Sequence, residues 1–304
     1  MSLGVLNNIA ATYAANNLSN TQTSLQNVLT QLSSGSRINS GADDAAGLSL
    51  ANGLQANQSA LTQSASNVSL GVGLLQTADG ALSQVSNLLN RAVTLATEAG
   101  NGTLNATQSA AANQEYKSIL AEINNIGATT TYNGNAVFGA SASIYTSDGT
   151  ATGTSVDTLT IAALSSSSVG DANGSITYTA AAGTTPATIS YTAGAGATDH
   201  VDLSTTDLTS AANAQNALSS ISTAITDVAA QRGYLGSQIN TLNAIAGVET
   251  TQSENLASAS NSIMATDYTK ATSELSKYQI LTQTGISALA QANSTQQAVT
   301  KLLQ

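Results

Sequence analysis

The sequence predicts a mainly α protein: a long, antiparallel, coiled-coil-like helical rod built from both chain ends, with a small β-hairpin region in the middle. Three observations predict it. Toward both ends, apolar residues recur at alternating spacings of three and four, which places them on one face of a helix. Between the ends the text turns to Thr, Ser, Gly, Tyr, Val and Ile in short alternating runs. Finally, hydrophobic residues make up 41% of the 304, much of it Ala, while aromatics reach only 3%, with one Phe and no Trp. Such a chain suits long helices in close side-by-side contact, and it lacks the large rings that dominate most compact cores.

The elements follow in order. Leu18, Thr21, Leu25, Val28 and Leu32 form the first seam, and Ser33-Ser34-Gly35 ends it, because Gly just past a helix accepts the left-handed cap conformation. Asn39 or Ser40 is placed to cap the next helix, with Asp43 and Asp44 near its positive end. Arg37, just before them, is suited to hold the connection by ion pairing. From Leu54 through Leu61, Val68, Leu75, Leu82 and Leu89 to Ala96 the alternation runs unbroken, a helix of roughly 65 Å at ~1.5 Å per residue. Gly71, Gly73 and Gly80 interrupt it at about 1 kcal/mol each relative to Ala, a cost that close helix approach would offset. Gly100-Asn101-Gly102 stops the helix. A shorter one follows, with Tyr116, Ile119, Leu120, Ile123 and Ile126 on its apolar side and Gly127 at its end.

The middle reads as β. Ser143-Ile144-Tyr145, the run from Asp157 to Ile161, Ile176 to Thr179 and Thr188 to Tyr191 are β-branched or aromatic. Asp148-Gly149, Asn173-Gly174 and Gly183 to Pro186 supply turns between them, so a small set of hairpins is expected. The last zone returns to heptads: Leu218, Ile221, Ile225, Val228, Arg232, Leu235, Ile239, Leu242, Ala246 and Glu249 continue to Ile263. Arg232 on that seam either marks register or snorkels outward. Beyond Asp267 the stripe broadens, with Leu275, Tyr278, Ile280, Leu281, Ile286, Leu289, Leu302 and Leu303 on several sides. A helix apolar on several sides must be covered on several sides. Neighbouring subunits, or the core of its own domain, would cover it.

Composition also excludes chemistry. Seven Lys+Arg against 17 Asp+Glu give a net charge of −10, wrong for nucleic acid and for an anionic membrane surface. No Cys and a single His, His200, leave no zinc set, thiol nucleophile or Cys–His pair. The N-terminus has neither the basic nor the apolar region of a signal peptide, and no apolar run approaches the ~18 residues of a membrane span. Gly194-Ala195-Gly196 lacks the strand and helix of a phosphate loop, and Asp43-Asp44 reads as helix-end charge before it reads as an acid–base pair. No catalytic, cofactor-binding or metal site is expected.

Longer motifs carry a resemblance. Leu32-Ser33-Ser34-Gly35-Ser36-Arg37-Ile38-Asn39-Ser40, followed by Asp43-Asp44-Ala45-Ala46-Gly47-Leu48, resembles the N-terminal signature of bacterial flagellins. Gln76 to Leu82 and Tyr132-Asn133-Gly134 look like further landmarks of that family. The segments Asp267-Tyr268, Gln279-Ile280-Leu281, Leu289 to Asn293 and Leu302-Leu303-Gln304 are similar to its terminal helix.

The resemblance implies an inner domain from residues 1–44 and 265–304, a rod from 45–140 and 207–264, and hairpins with a small variable outer region at 141–206. It implies a secreted structural subunit that self-assembles into the extracellular filament for motility, with the flagellin-like hook–filament junction protein as the alternative. Subunit packing would fall to Leu18, Leu25, Val28, Leu32, Leu275, Leu281, Ile286, Leu289, Leu302 and Leu303. Expected partners are further copies of the chain, the flagellar type III export apparatus, an export chaperone, the filament cap and hook-associated proteins. An animal partner is implied too, the flagellin-sensing Toll-like receptor. Arg91, Leu95 and Glu115 match its recognition motif, while Asn90 and Thr94 depart from the commoner Gln and Glu.

Overall fold

The computed structural model describes residues 8–147, 156–169, 175–179, 188–192 and 201–302. Among them run α1 (Ile9–Ser34), α2 (Ala45–Gly100), α3 (Ala106–Thr129), strands β1 (Thr131–Tyr132), β2 (Asn135–Ala136), β3 (Ser141–Tyr145), β4 (Val156–Thr160), β5 (Ser175–Thr179) and β6 (Thr188–Thr192), then α4 (Ala211–Met264) and α5 (Tyr268–Leu302). The chain divides into two compact units, Met1–Ala56 with Asn255–Gln304, and Asn57–Glu254.

In the second unit α2 and α4 run antiparallel. Arg232 Nε and Nη2 grip the Asp79 carboxylate at 2.8 and 3.3 Å, and Gln215 Nε2 donates to the Gly100 carbonyl at 3.3 Å. Arg232 is therefore a register mark; half-exposed, the pair adds under about 1 kcal/mol of stability. Stability comes from the seams. Leu75, Leu82 and Leu89 of α2, Tyr116 and Ile123 of α3, and Ile221, Leu235 and Leu242 of α4 are fully buried in one continuous core. Each such aliphatic side chain contributes about 1.5–3 kcal/mol by leaving water.

The strands form antiparallel two-stranded hairpins. Asn133 and Gly134, at φ 50° and 80°, turn β1 into β2, with both central residues in the left-handed region that a tight hairpin demands. β3 pairs with β4 from Ser141↔Thr160 to Tyr145↔Val156, and β5 pairs with β6 from Ser175↔Thr192 to Thr179↔Thr188. The runs read as strands in the sequence are strands. Asp148-Gly149, Asn173-Gly174, Gly183 to Pro186, Gly194 to Gly196 and His200 lie outside the described residues.

Glycine explains how the hairpins approach the helices. A Cβ on Gly71 would lie 1.9 Å from Ile144 Cδ1, and one on Gly73 2.7 Å from Tyr132 Oη. At Gly71 both the β3 strand and helix α4 come close, the latter through Leu242 Cδ1 at 3.5 Å, as close helix approach predicts; at Gly73 the neighbour is the β1 strand, and Gly80 has nothing among the described residues within 4 Å of its Cβ position. Gly127 does not end α3, which continues to Thr129. It makes room for the backbone of Leu164, whose carbonyl oxygen a Cβ would meet at 1.9 Å.

Polar contacts strap the remaining chain to α3. Asn113 Oδ1 accepts from Leu208 N at 2.9 Å, Asn124 Oδ1 from Ser166 N at 2.6 Å, and Lys117 Nζ donates to the Thr206 carbonyl at 2.6 Å. Tyr116 shares a hydrogen bond with the Thr206 hydroxyl, and burial pushes its phenol up from the ordinary tyrosine range.

Candidate functional site: the paired terminal helices

In the first unit α1 and α5 lie antiparallel, and the heptads say which faces meet. Ala11, Ala14, Leu18, Thr21, Leu25, Val28 and Leu32 of α1 are shielded, as are Ala271, Leu275, Tyr278, Thr282, Gly285, Leu289 and Ala292 of α5. A Cβ on Gly285 would sit 3.2 Å from Leu18 Cδ1, so this glycine lets the helices close up at the middle of the pair. Asn8 fixes the far end. Its Oδ1 caps α1 by accepting from Ala11 N at 3.0 Å, while its Nδ2 donates to the Ala292 carbonyl of α5 at 3.1 Å.

The near end is a clasp built by the Leu32–Leu48 motif. Gly35 takes the left-handed cap at φ 69°. The chain then bridges to the link between α4 and α5: Arg37 N donates to the Met264 carbonyl at 2.7 Å, and Thr266 N to the Gly35 carbonyl at 3.1 Å. The Arg37 guanidinium donates to the Ile263 carbonyl at 2.9 Å, so it secures the connection by a hydrogen bond to backbone where an ion pair was expected. Ser36 Oγ and Asn39 Nδ2 hold the turn, and Ile38 is buried beneath it.

The acidic pair divides its labour. Asp43 Oδ2 accepts from the backbone N–H groups of Asn39 and Ser40 at 3.0 and 2.8 Å, which hold its carboxyl below the ordinary range. Asp44, and neither Asn39 nor Ser40, caps α2, its Oδ1 accepting from Gly47 N at 2.8 Å. A Cβ on Gly47 would fall 2.5 Å from Asp44 Oδ2 and 2.8 Å from Ile38 Cδ1, so glycine is required for both contacts. Replacing Asp44 by Ala is expected to destabilise the first unit by about 1 kcal/mol, read as a lower urea midpoint at unchanged m-value.

The seam consumes one half of the shielded-or-exposed choice and leaves the other half open. Leu18, Leu25, Val28, Leu32, Leu275 and Leu289 face inward in the α1–α5 pair. Ile280 and Ile286 are 61% and 53% exposed, Tyr13 is 68% exposed, and Leu281, Leu29 and Ile9 are exposed as well. Among the described residues, the apolar breadth of α5 is therefore not fully covered. Leu302 ends α5 without a described side chain, and Leu303 lies beyond the described residues. No helix among the described residues is long and apolar enough to cross a membrane.

In the second unit, Arg91 on α2 and Glu115 on α3 form an exposed ion pair at 2.7 Å, which raises the guanidinium's pKa and lowers the carboxyl's. Leu95, one turn along, is 3% exposed and belongs to the core beneath them.

Comparison with known proteins decides what this arrangement is. The bacterial flagellin N-terminal helical region matches residues 5–143, and the bacterial flagellin C-terminal helical region matches residues 218–303. The chain is 32% identical over 273 residues to flagellin of Listeria monocytogenes, covering 90% of each protein. The chain belongs to the bacterial flagellin family.

It is also 32% identical over 278 residues to flagellin of Halalkalibacterium halodurans, covering 91% of each. With the flagellar filament 33 kDa core protein of Treponema phagedenis it shares 29% identity over 304 residues, or 97% of this chain and 98% of that one. As a flagellin, the chain is a structural subunit of the filament, and nothing favours the junction alternative. The first flagellin match runs through α1, the Leu32–Leu48 motif and the β1–β2 hairpin into β3, the second resumes within α4 and runs through α5, and together they include both sides of the clasp and of the α1–α5 seam. The motif of the clasp is legible in the sequence, though its contacts are not. Asn8 is not legible at all, because the Asn7-Asn8 pair before an Ala-rich run gives no sign of a partner 284 residues away.

Proposed function

We propose that the first unit is the assembly surface: copies of this chain polymerise by burying the outward apolar faces of α1 and α5 against one another. The observation that carries this reading is the exposure of Ile280, Leu281 and Ile286 on a helix whose other face is already occupied by α1. Apolar burial supplies the energy, and the rigid pair supplies the register. In this reading Leu281 and Ile286 touch neighbouring subunits, while Leu18, Leu25, Val28, Leu32, Leu275 and Leu289 keep the pair straight enough to dock.

Residues 1–44 and 265–304 are then the inner domain, 45–140 and 207–264 the rod, and 141–206 its hairpins and small outer region. The chain acts as a structural element without enzymatic activity, outside the cell, after passage through the flagellar type III export apparatus with an export chaperone. It meets the filament cap and hook-associated proteins at the ends of the polymer. Arg91 and Glu115 are the surface that a flagellin-sensing Toll-like receptor would meet; absence of binding by the intact monomer in a direct assay would remove that partner.

The test is seeded growth. Short filament fragments mixed with the intact chain are expected to elongate under the electron microscope. A chain ending at Lys270, which lacks nearly all of α5, is expected to show no elongation while its circular dichroism remains helical. Decoration of seed ends by the intact chain without growth would overturn the proposal in favour of a junction role.

A further inference from the structure

Ser64 sits where three elements of the second unit meet. Its hydroxyl oxygen lies 2.5 Å from Glu249 Oε1 on α4 and 3.3 Å from the carbonyl oxygen of Tyr145, the last residue of β3. Asn67 Nδ2 donates to the same carbonyl at 3.4 Å. Glu249 is 4% exposed, and its second carboxyl oxygen has no hydrogen-bond partner among the described residues.

Among the described residues, the surroundings hold no cation for it. From α2 it meets Leu61 and Ser64, and that helix carries no titratable side chain before Asp79. From the end of β3 come the solvent-exposed Tyr145 phenol, Thr146 and Ser147. Along α4, Arg232 is committed to Asp79, and Glu254 is exposed.

Counting hydrogens decides the protonation state. A serine hydroxyl has one hydrogen to give, and an ionised carboxylate only accepts. With Glu249 ionised, that hydrogen goes to Oε1, the Tyr145 carbonyl loses it, and a charge stays buried without compensation. With Glu249 protonated, its O–H donates to Ser64 Oγ and the Ser64 hydroxyl donates onward to the Tyr145 carbonyl. Both hydrogens are used, and no charge is buried. We infer that Glu249 is a proton-binding site whose proton completes a relay through Ser64 to the Tyr145 carbonyl, fastening the end of β3 to α2 and α4.

Burial is also the dominant influence on the carboxyl, holding it above the ordinary 4.5, with the Ser64 hydrogen bond a smaller opposing effect. The sign of the linkage follows. Below the ordinary value both folded and unfolded chains hold the proton, and nothing is lost. As pH rises from there through the raised folded value, only the folded chain still holds it, so stability falls.

The full chain and Glu249→Gln are to be unfolded in urea across the range from about pH 4 to about pH 9. The Gln amide can donate to Ser64 at every pH. Relative to it, the unfolding constant of the parent should rise by up to about tenfold per pH unit within the window, and the β3 amides of the parent should exchange faster at the alkaline end. Ser64→Ala, which cuts the relay and leaves the carboxyl buried, should keep the pH slope but show fast β3 exchange throughout. A parent-to-Gln ratio that is flat with pH, or β3 protection in the parent that is equal at the two ends of the range, would overturn the inference.

Discussion

Aspartate at both Leu281 and Ile286 is expected to abolish seeded elongation while leaving the monomer as helical as before. Leu281 and Ile286 are 42% and 53% exposed and lie outside the line of shielded residues that faces α1, so the substitution disturbs the α1–α5 pair less than one within the seam would. In a polymer that buries this face, two carboxylates would enter an apolar interface unpaired, and each costs several kcal/mol there. A loss of that size exceeds what a subunit contact can spare. Electron microscopy reads the elongation and circular dichroism the monomer; growth at the parental rate would show that this face of α5 is not the subunit contact.

Gly127→Ala is expected to destabilise the second unit by about 2 kcal/mol, although Gly to Ala inside a helix ordinarily stabilises. The new methyl would sit 1.9 Å from the Leu164 carbonyl oxygen, and 2.9 Å from its carbonyl carbon. Backbone cannot rotate aside as a side chain can, so the overpacking costs about 3 kcal/mol, against about 1 kcal/mol gained in helix propensity. Gly80→Ala is the matched control. With nothing within 4 Å of its Cβ position it should stabilise by up to about 1 kcal/mol. Urea unfolding of the two variants separates the effects, and a stabilised Gly127→Ala would mean that the Leu164 segment is not seated on α3.

Periodicity made most of the architecture legible. Leu75, Leu82 and Leu89, or Leu18, Leu25 and Leu32, recur at heptad spacing because burial imposes that spacing, so the pattern reports the helix face directly. The strands were legible for a similar reason, since Ser141–Tyr145 and Val156–Thr160 are β-branched or alternating runs. What periodicity cannot report is the identity of the neighbour. Gly71 and Gly73 announced close approach, but whether a helix or a hairpin approaches depends on residues such as Ile144 and Tyr132, far along the chain. Leu281 and Leu275 look alike in the text; only the position of α1 separates the one left in water from the one in the seam. Glu249 was visible as a seam residue, but its burial against Ser64 follows from the register between α2 and α4, which is a tertiary quantity.

The contact between Asn8 and Ala292 joins residues 284 positions apart. Very few pairings in a chain of this length could enclose more of it, and loop closure on that scale is entropically dear and kinetically slow. The α1–α5 pair is therefore expected to close late in folding. The chain between its partners has to become compact first, which shortens the span still to be closed. A chain interrupted anywhere before α5 has no means of starting the pair, so incomplete copies are barred from this docking surface by topology alone.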